Sequence, residues 1–283
     1  MPPEGAELTL WAASVKAYPL RERIDAARAG GFTATSLFPY EVAAAQQDGL
    51  DAAAVRELFE THGVRVAVVD PLTTWLPGSR VPDDLPADDP AVGGIGADDM
   101  FELAVALGAE VVTALALFNE RVDPQAGTRA FAALCDRAAE RHVRIALEFI
   151  PGTGIPDLES AWEIVRGAAR ANGGLVLDSW HFFRSVPDFE LLGAIPPELV
   201  FAVQLEDAPA SPAADLAHES LHARLIPGDG ELDLQAFMST VLAGGTPPLI
   251  GPEVFSDATA ELPARWLGRL LGERTREFLD TGG

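Results

Sequence analysis

Short runs of apolar, largely β-branched residues alternate along the chain with longer stretches whose apolar positions recur at helical spacing. The runs at 8–14, 33–39, 64–70, 110–118, 144–150, 174–180, 199–206 and 248–255 predict eight strands. Most are apolar at consecutive positions rather than at every second one, which is the pattern of parallel strands covered on both faces. Segments 20–30, 51–63, 96–108, 126–142, 157–171, 187–193, 233–243 and 261–280 predict the intervening helices. Several close on glycine, as in ARAGG (27–31), ETHG (60–63) and ARANGG (169–174), where a helix end favours the residue most at ease with a left-handed backbone.

Eight strand–helix repeats in 283 residues suit an α/β fold, a single (β/α)8 TIM barrel occupying 1–283 as one domain. A doubly wound open sheet needs a glycine-rich phosphate turn or another switch-point feature after its first strand, and WAASVKAYP (11–19) has none. The polar, proline-rich stretch 78–94 is long for a strand-to-helix connection. Following strand three, it falls on the C-terminal face of the barrel, as a lid or as a solvated insertion.

Charge and composition narrow the function. The 43 acidic and 20 basic side chains give a net charge of −23, which argues against an extended contact with nucleic acid or an anionic membrane. Lys16 is the one lysine; the other basic residues are arginines. The single cysteine, Cys135, excludes an internal disulfide and any CxxC motif; its place in the apolar stripe of FAALCDRAAE predicts a buried, inert thiol. MPPEGAELTL lacks the basic and apolar regions of a secretory signal. The apolar segment 101–118 is broken by Glu102, Gly108 and Glu110, so it reads as a helix and a strand rather than a membrane span. A cytoplasmic protein is expected.

Active sites of (β/α)8 barrels form at the C-terminal ends of the strands. There LEFIPG (147–152) places Glu148, LDSWHF (177–182) places Asp178 and His181, VQLEDA (203–208) places Gln204 followed by Glu206 and Asp207, and GPEVFS (251–256) places Glu253. An isolated carboxylate in an apolar strand costs several kcal/mol unless something compensates it. Three carboxylates converging from neighbouring strands call for a cation or a shared proton. With the amide of Gln204 they make an all-oxygen donor set suited to one divalent ion, Mg²⁺ or Mn²⁺.

These residues resemble the xylose isomerase-like TIM-barrel superfamily, in its sugar phosphate isomerase and epimerase branch. The resemblance covers essentially the whole chain and is most specific in LEFIPG, LDSWHF, VQLEDA, RLIPGDGELDL (224–234) and GPEVFS. It implies metal ligands at Glu148, Asp178, Gln204 and Glu253, with His181 and Arg224 contacting substrate. Ketose 3-epimerases of the superfamily typically carry His where this chain has Gln204, and Gln there is also seen in relatives such as bacterial 3-dehydroshikimate dehydratases. The DNA-repair branch needs several further histidines. Only five exist here, and His62 and His142 fall at the wrong end of their helices.

The implied chemistry is proton transfer α to a carbonyl. A divalent ion acts as Lewis acid, and Glu148 and Glu253 serve as catalytic base and acid. The first expectation is a divalent-metal-dependent isomerase or epimerase of a small sugar-like polyhydroxy carbonyl compound, unphosphorylated because no phosphate cradle is visible. The alternative is a dehydratase of the same fold, acting on 3-dehydroshikimate or an inosose. A non-catalytic barrel subunit is the third reading, opposed by the complete ligand set. Arg184, Trp11 and Trp180 are further substrate-binding candidates, with Phe38 and Trp75 as companions in an apolar wall. His218 and His222 are expected in the loop AHESLHARLIPGDG (217–230), with His218 at the surface; the role of Asp70 is open, and so is self-association.

Overall fold

The computed structural model describes residues 6–79, 95–118, 120–245 and 247–280; most of the 78–94 stretch lies outside them. Eight strands pair in sequence order in a closed barrel: β1 (Glu7–Leu10), β2 (Ala34–Leu37), β3 (Arg65–Leu72), β4 (Val111–Ala114), β5 (Arg144–Leu147), β6 (Gly173–Asp178), β7 (Val200–Leu205) and β8 (Leu249–Pro252). β1 pairs in parallel with β2 and, closing the barrel, with β8, as β4 does with β5 and β7 with β8. No described helix is long and apolar enough to cross a membrane.

The eight predicted helices are present as α1 (Leu20–Gly30), α3 (Ala52–Glu60), α4 (Ala97–Leu107), α5 (Pro124–Ala139), α6 (Leu158–Ala168), α8 (Phe189–Ala194), α10 (Leu234–Gly244) and α12 (Ala264–Asp280). Four short helices were not predicted: α2 (Pro39–Gln47), α7 (Ser179–Arg184), α9 (Leu216–His222) and α11 (Asp257–Ala260). The first of these starts where a strand was expected to end. Pro39 supplies the first helical residue, and the Glu41 carboxylate accepts the Phe38 N–H at 2.9 Å, which satisfies one orphan donor of the first turn. Strands are correspondingly shorter than the apolar runs; 110–118 pairs only as far as Ala114, and the buried Leu115 and Ala116 continue the core outside the sheet.

Two compact units divide the contacts, one within residues 1–35, 61–64 and 177–283, the other within 36–60 and 65–176. In the first, α1 and α12 approach so closely that a Cβ on Gly268 would strike the Ala26 carbonyl oxygen, and one on Gly272 the Gly30 carbonyl oxygen. In the second, β3, β4 and β5 carry the buried run Val66–Val69, Val111–Ala114 and Ile145–Leu147 against α4 and α5. Cys135 is buried there, and burial pushes its thiol up to about 12, in keeping with an inert group.

Candidate functional site

Asp178 ends β6 and begins α7. Its Oδ1 accepts the His181 backbone N–H at 2.6 Å, so a strand-end carboxylate doubles as a helix cap and keeps its other oxygen for further partners. Arg224 Nη1 donates to Oδ2 at 2.8 Å, and His181 Nε2 lies 3.4 Å from the same oxygen. All three side chains are buried. Burial alone would raise the Asp178 pKa, but His181 and Arg224 beside it outweigh burial and lower it. Burial also works against the Arg224 charge, yet Asp178, Glu206 and Glu253 together hold its pKa above the ordinary value. The His181 imidazole is pushed down to about 3 by burial, so it is neutral near pH 7.

The Arg224 guanidinium is fixed in place from several directions. It lies 5.2 Å from the ring centroids of both Trp180 and Phe255, a cation–π arrangement strengthened by desolvation. Its Nε donates to the Ser220 carbonyl at 2.8 Å, and its backbone N–H to the Phe255 carbonyl at 3.0 Å. Antiparallel bridges Asp207–Leu225 and Ala223–Ser256 flank it. Asp207 holds the following turn, accepting the N–H groups of Gly228 and Leu232 at 3.0 Å each. Gly230 packs so tightly against that carboxylate that a Cβ there would collide with it.

Gln204 and Glu253 are placed by the β7–β8 ladder. Gln204 is opposite Gly251, and Glu253, two residues on, shares its face. Gly251 has no room for a Cβ, which would meet the Thr9 carbonyl oxygen. The Glu253 N–H donates to the Leu205 carbonyl at 3.2 Å. Ser14 braces the same turn, its Oγ donating to the Pro252 carbonyl at 3.0 Å and accepting the Val254 N–H at 2.8 Å. Gln204 is wholly buried, and neither its amide oxygen nor its amide nitrogen has a hydrogen-bond partner among the described residues. Leaving such a group unsatisfied costs about 1–3 kcal/mol. Glu148 follows β5 directly, is 4 % exposed, and donates its N–H to the Ala114 carbonyl at 3.1 Å. Asp178 and His181, buried side by side at the end of β6, offer a carboxylate and an imidazole that could bind a metal ion.

Two acids that carry much of this arrangement had no assigned role in the sequence. Glu206 accepts from the Ser179 hydroxyl at 3.0 Å and the Trp180 N–H at 2.8 Å. Its other oxygen stands 3.8 Å from Arg224 Nη1. Burial, then the Asp178 charge, raises its pKa well above the carboxylate range. Its two-residue spacing from Gln204 was the available signal, since alternate positions share a face. Glu219, on α9, accepts from Trp180 Nε1 at 2.9 Å, Arg184 Nε at 2.6 Å and the Ala213 N–H at 2.5 Å. No pattern in the polar segment AHESLH marked it as buried.

The remaining candidates are placed as follows. Arg184 is turned to Glu219 and to the Pro209 carbonyl, 2.7 Å away. Trp180 is engaged by Glu219 and Arg224. Trp11 is fully buried, its Nε1 without a partner among the described residues. Phe38 and Trp75 are buried, and Trp75 Nε1 donates to the Leu115 carbonyl at 2.9 Å. His218 is exposed as expected, and His222 is exposed too, but both lie on helix α9 rather than in a loop; Asp215 caps that helix by accepting the His218 N–H at 3.0 Å.

Comparison with known proteins gives relatives of two activities. The 3-dehydroshikimate dehydratase of Pseudomonas aeruginosa is 39 % identical over 154 residues, covering 52 % of this chain and 24 % of that protein. The inosose isomerase of Bacillus subtilis is 31 % identical over 172 residues, covering 58 % of this chain and 61 % of that protein. The chain thus spans about a quarter of the dehydratase and about three-fifths of the isomerase. Both relatives are enzymes. Among solved structures, the IOLI protein with a binding zinc atom superposes with a TM-score of 0.83 at 21 % identity, covering 98 % of this chain and 99 % of that one. The family model described as xylose isomerase-like TIM barrel matches residues 24–271, and the chain belongs to that family.

Proposed function

We propose that the protein catalyses proton transfer at the carbon α to the carbonyl of a small cyclic polyhydroxy ketone. Glu148, Asp178, Gln204 and Glu253 would hold one divalent ion. The observation that carries the reading is Gln204, a wholly buried amide with both polar atoms unpartnered among the described residues, two residues in register from Glu253. An oxygen donor with no protein partner, in a set otherwise made of carboxylates, fits a hard cation such as Mg²⁺ or Mn²⁺. A bound ion there supplies Lewis-acid polarisation of a carbonyl.

The chain's own residues supply the rest. Glu148 and Glu253 are the acid and base that take and return the proton, each buried enough to favour transfer over solvation. His181, neutral and anchored beside Asp178, hydrogen-bonds a substrate hydroxyl. Arg224 keeps Asp178 ionised and oriented. Returning the proton to another face or to the neighbouring carbon gives epimerisation or isomerisation. Loss of a β-hydroxyl instead gives dehydration, a second reading favoured by the 39 % identity to the dehydratase. The substrates named for the two relatives are both cyclic ketones bearing hydroxyl groups, so one first step serves either outcome.

Incubation with 3-dehydroshikimate and with inososes in D2O separates these outcomes. Deuterium gained without loss of water marks isomerase chemistry, and a new ultraviolet band marks dehydration. Glu148→Gln should abolish either signal, and Gln204→Leu should lower the divalent-metal content of the purified protein. Full turnover by Glu148→Gln, or unchanged metal content in Gln204→Leu, defeats the reading.

A further inference from the structure

The run His218-Glu219-Ser220-Leu221-His222 sets two histidines four residues apart on α9, one helical turn from each other on the same face. Their rings stand nearly parallel, with centroids 5.1 Å apart and planes at 18°. Asp257 Oδ1 lies 3.1 Å from His222 Nδ1. A carboxylate at that nitrogen fixes the proton on Nδ1 and leaves Nε2 as a lone-pair donor, the arrangement that orients metal-bound histidines. His222 is 43 % exposed and His218 is exposed, so both imidazoles are open to an ion from solvent.

We propose that His218 and His222 form a second, surface site for a borderline divalent cation of the Zn²⁺ class, with Asp257 orienting His222. This site is separate from the buried carboxylate set and differs from it in donor chemistry. Two imidazoles suit Zn²⁺, Ni²⁺ or Cu²⁺ rather than Mg²⁺. Paired histidines at this spacing on a helix recur in zinc peptidases, where the intervening glutamate acts as base. Here that glutamate, Glu219, faces the other way and is occupied by Trp180, Arg184 and Ala213, so the site binds an ion without hydrolytic chemistry. Glu219 is the one buried side chain of this seven-residue helix, which is too short to be stable by propensity. An ion bridging one turn reinforces the helix that holds Glu219, and through it Trp180 beneath Arg224.

The test is zinc titration of the chelator-stripped full chain against a chromophoric zinc indicator, comparing wild type with His218→Ala, His222→Ala, Asp257→Asn and Gln204→Leu. Wild type should bind about one zinc equivalent more than either histidine variant, by the two-imidazole donor count. Asp257→Asn should keep that equivalent with affinity reduced about tenfold, the usual effect of losing an orienting carboxylate. The Gln204→Leu protein should retain it, which separates failure of the surface site from failure of the buried one. Equal zinc stoichiometry and affinity in wild type and both histidine variants overturns the proposal. Far-ultraviolet circular dichroism checks that each variant is folded, and His222→Gln, closer in shape, must behave as His222→Ala does.

Discussion

Asp70 offers a direct test of how burial is tuned in the second unit. It lies in β3, 5 % exposed, within a strand whose other residues from Val66 to Leu72 are also buried. Burial, then the charge of Glu41, pushes its carboxyl from 3.8 up to about 7. At about 1.4 kcal/mol per unit, that difference sets a ceiling of about 4 kcal/mol. The sign follows from proton counting. Between pH 4 and 7 the folded chain holds a proton that the unfolded chain has released, so stability falls as pH rises through that window and levels off above it. The contribution of Asp70 is thus fully present below pH 4 and lost by about pH 8. Asp70→Asn removes the titration while keeping the side chain's shape. Urea unfolding of both proteins, followed by tryptophan fluorescence from pH 4.5 to 8.5, should show the variant gaining on wild type by up to about 1.4 kcal/mol per pH unit, with the difference constant above pH 8. Glu41→Gln should flatten part of the wild-type slope. A difference between Asp70→Asn and wild type that does not change with pH refutes the reasoning.

Two further outcomes follow from packing. Gly268→Ala forces α1 and α12 apart at the Ala26 carbonyl and should cost about 1–3 kcal/mol, the usual range for overpacking; an unchanged calorimetric midpoint contradicts the close approach. Cys135, buried and with its thiol at about 12, should resist a disulfide reagent at pH 8 in the native protein and react fully once denatured in urea. Rapid native labelling is the contrary result.

The barrel was legible because parallel strands covered on both faces must be apolar at nearly every position, and eight such runs leave few architectures. Their ends were not, because the same apolar run continues into buried connecting turns, as Leu115 and Ala116 do after β4. The short helices were hidden for a related reason. α7 and α9 are capped by Asp178 and Asp215, and a six- or seven-residue helix makes no more than two turns, too few for its period to show in the sequence. Asp178 illustrates the difficulty, since one carboxylate serves as strand end, helix cap and partner of Arg224, and the sequence shows only the first of these roles.

Strand-end acids stand out in sequence because an ionised carboxylate in an apolar strand has to be compensated. Asp178, Glu206 and Glu253 all bear electrostatically on one guanidinium, that of Arg224. The crowding shows at Glu206, whose pKa burial and then the Asp178 charge raise well above its ordinary value. The hydrogen bonds of Arg224 are directed to Asp178, Ser220 and the Glu253 carbonyl. The overall charge of −23 is mostly a solvated surface with weak consequences. Here, with water excluded, each charge weighs far more, and the amide of Gln204, wholly buried with no partner among the described residues, is a polar group that burial leaves unsatisfied.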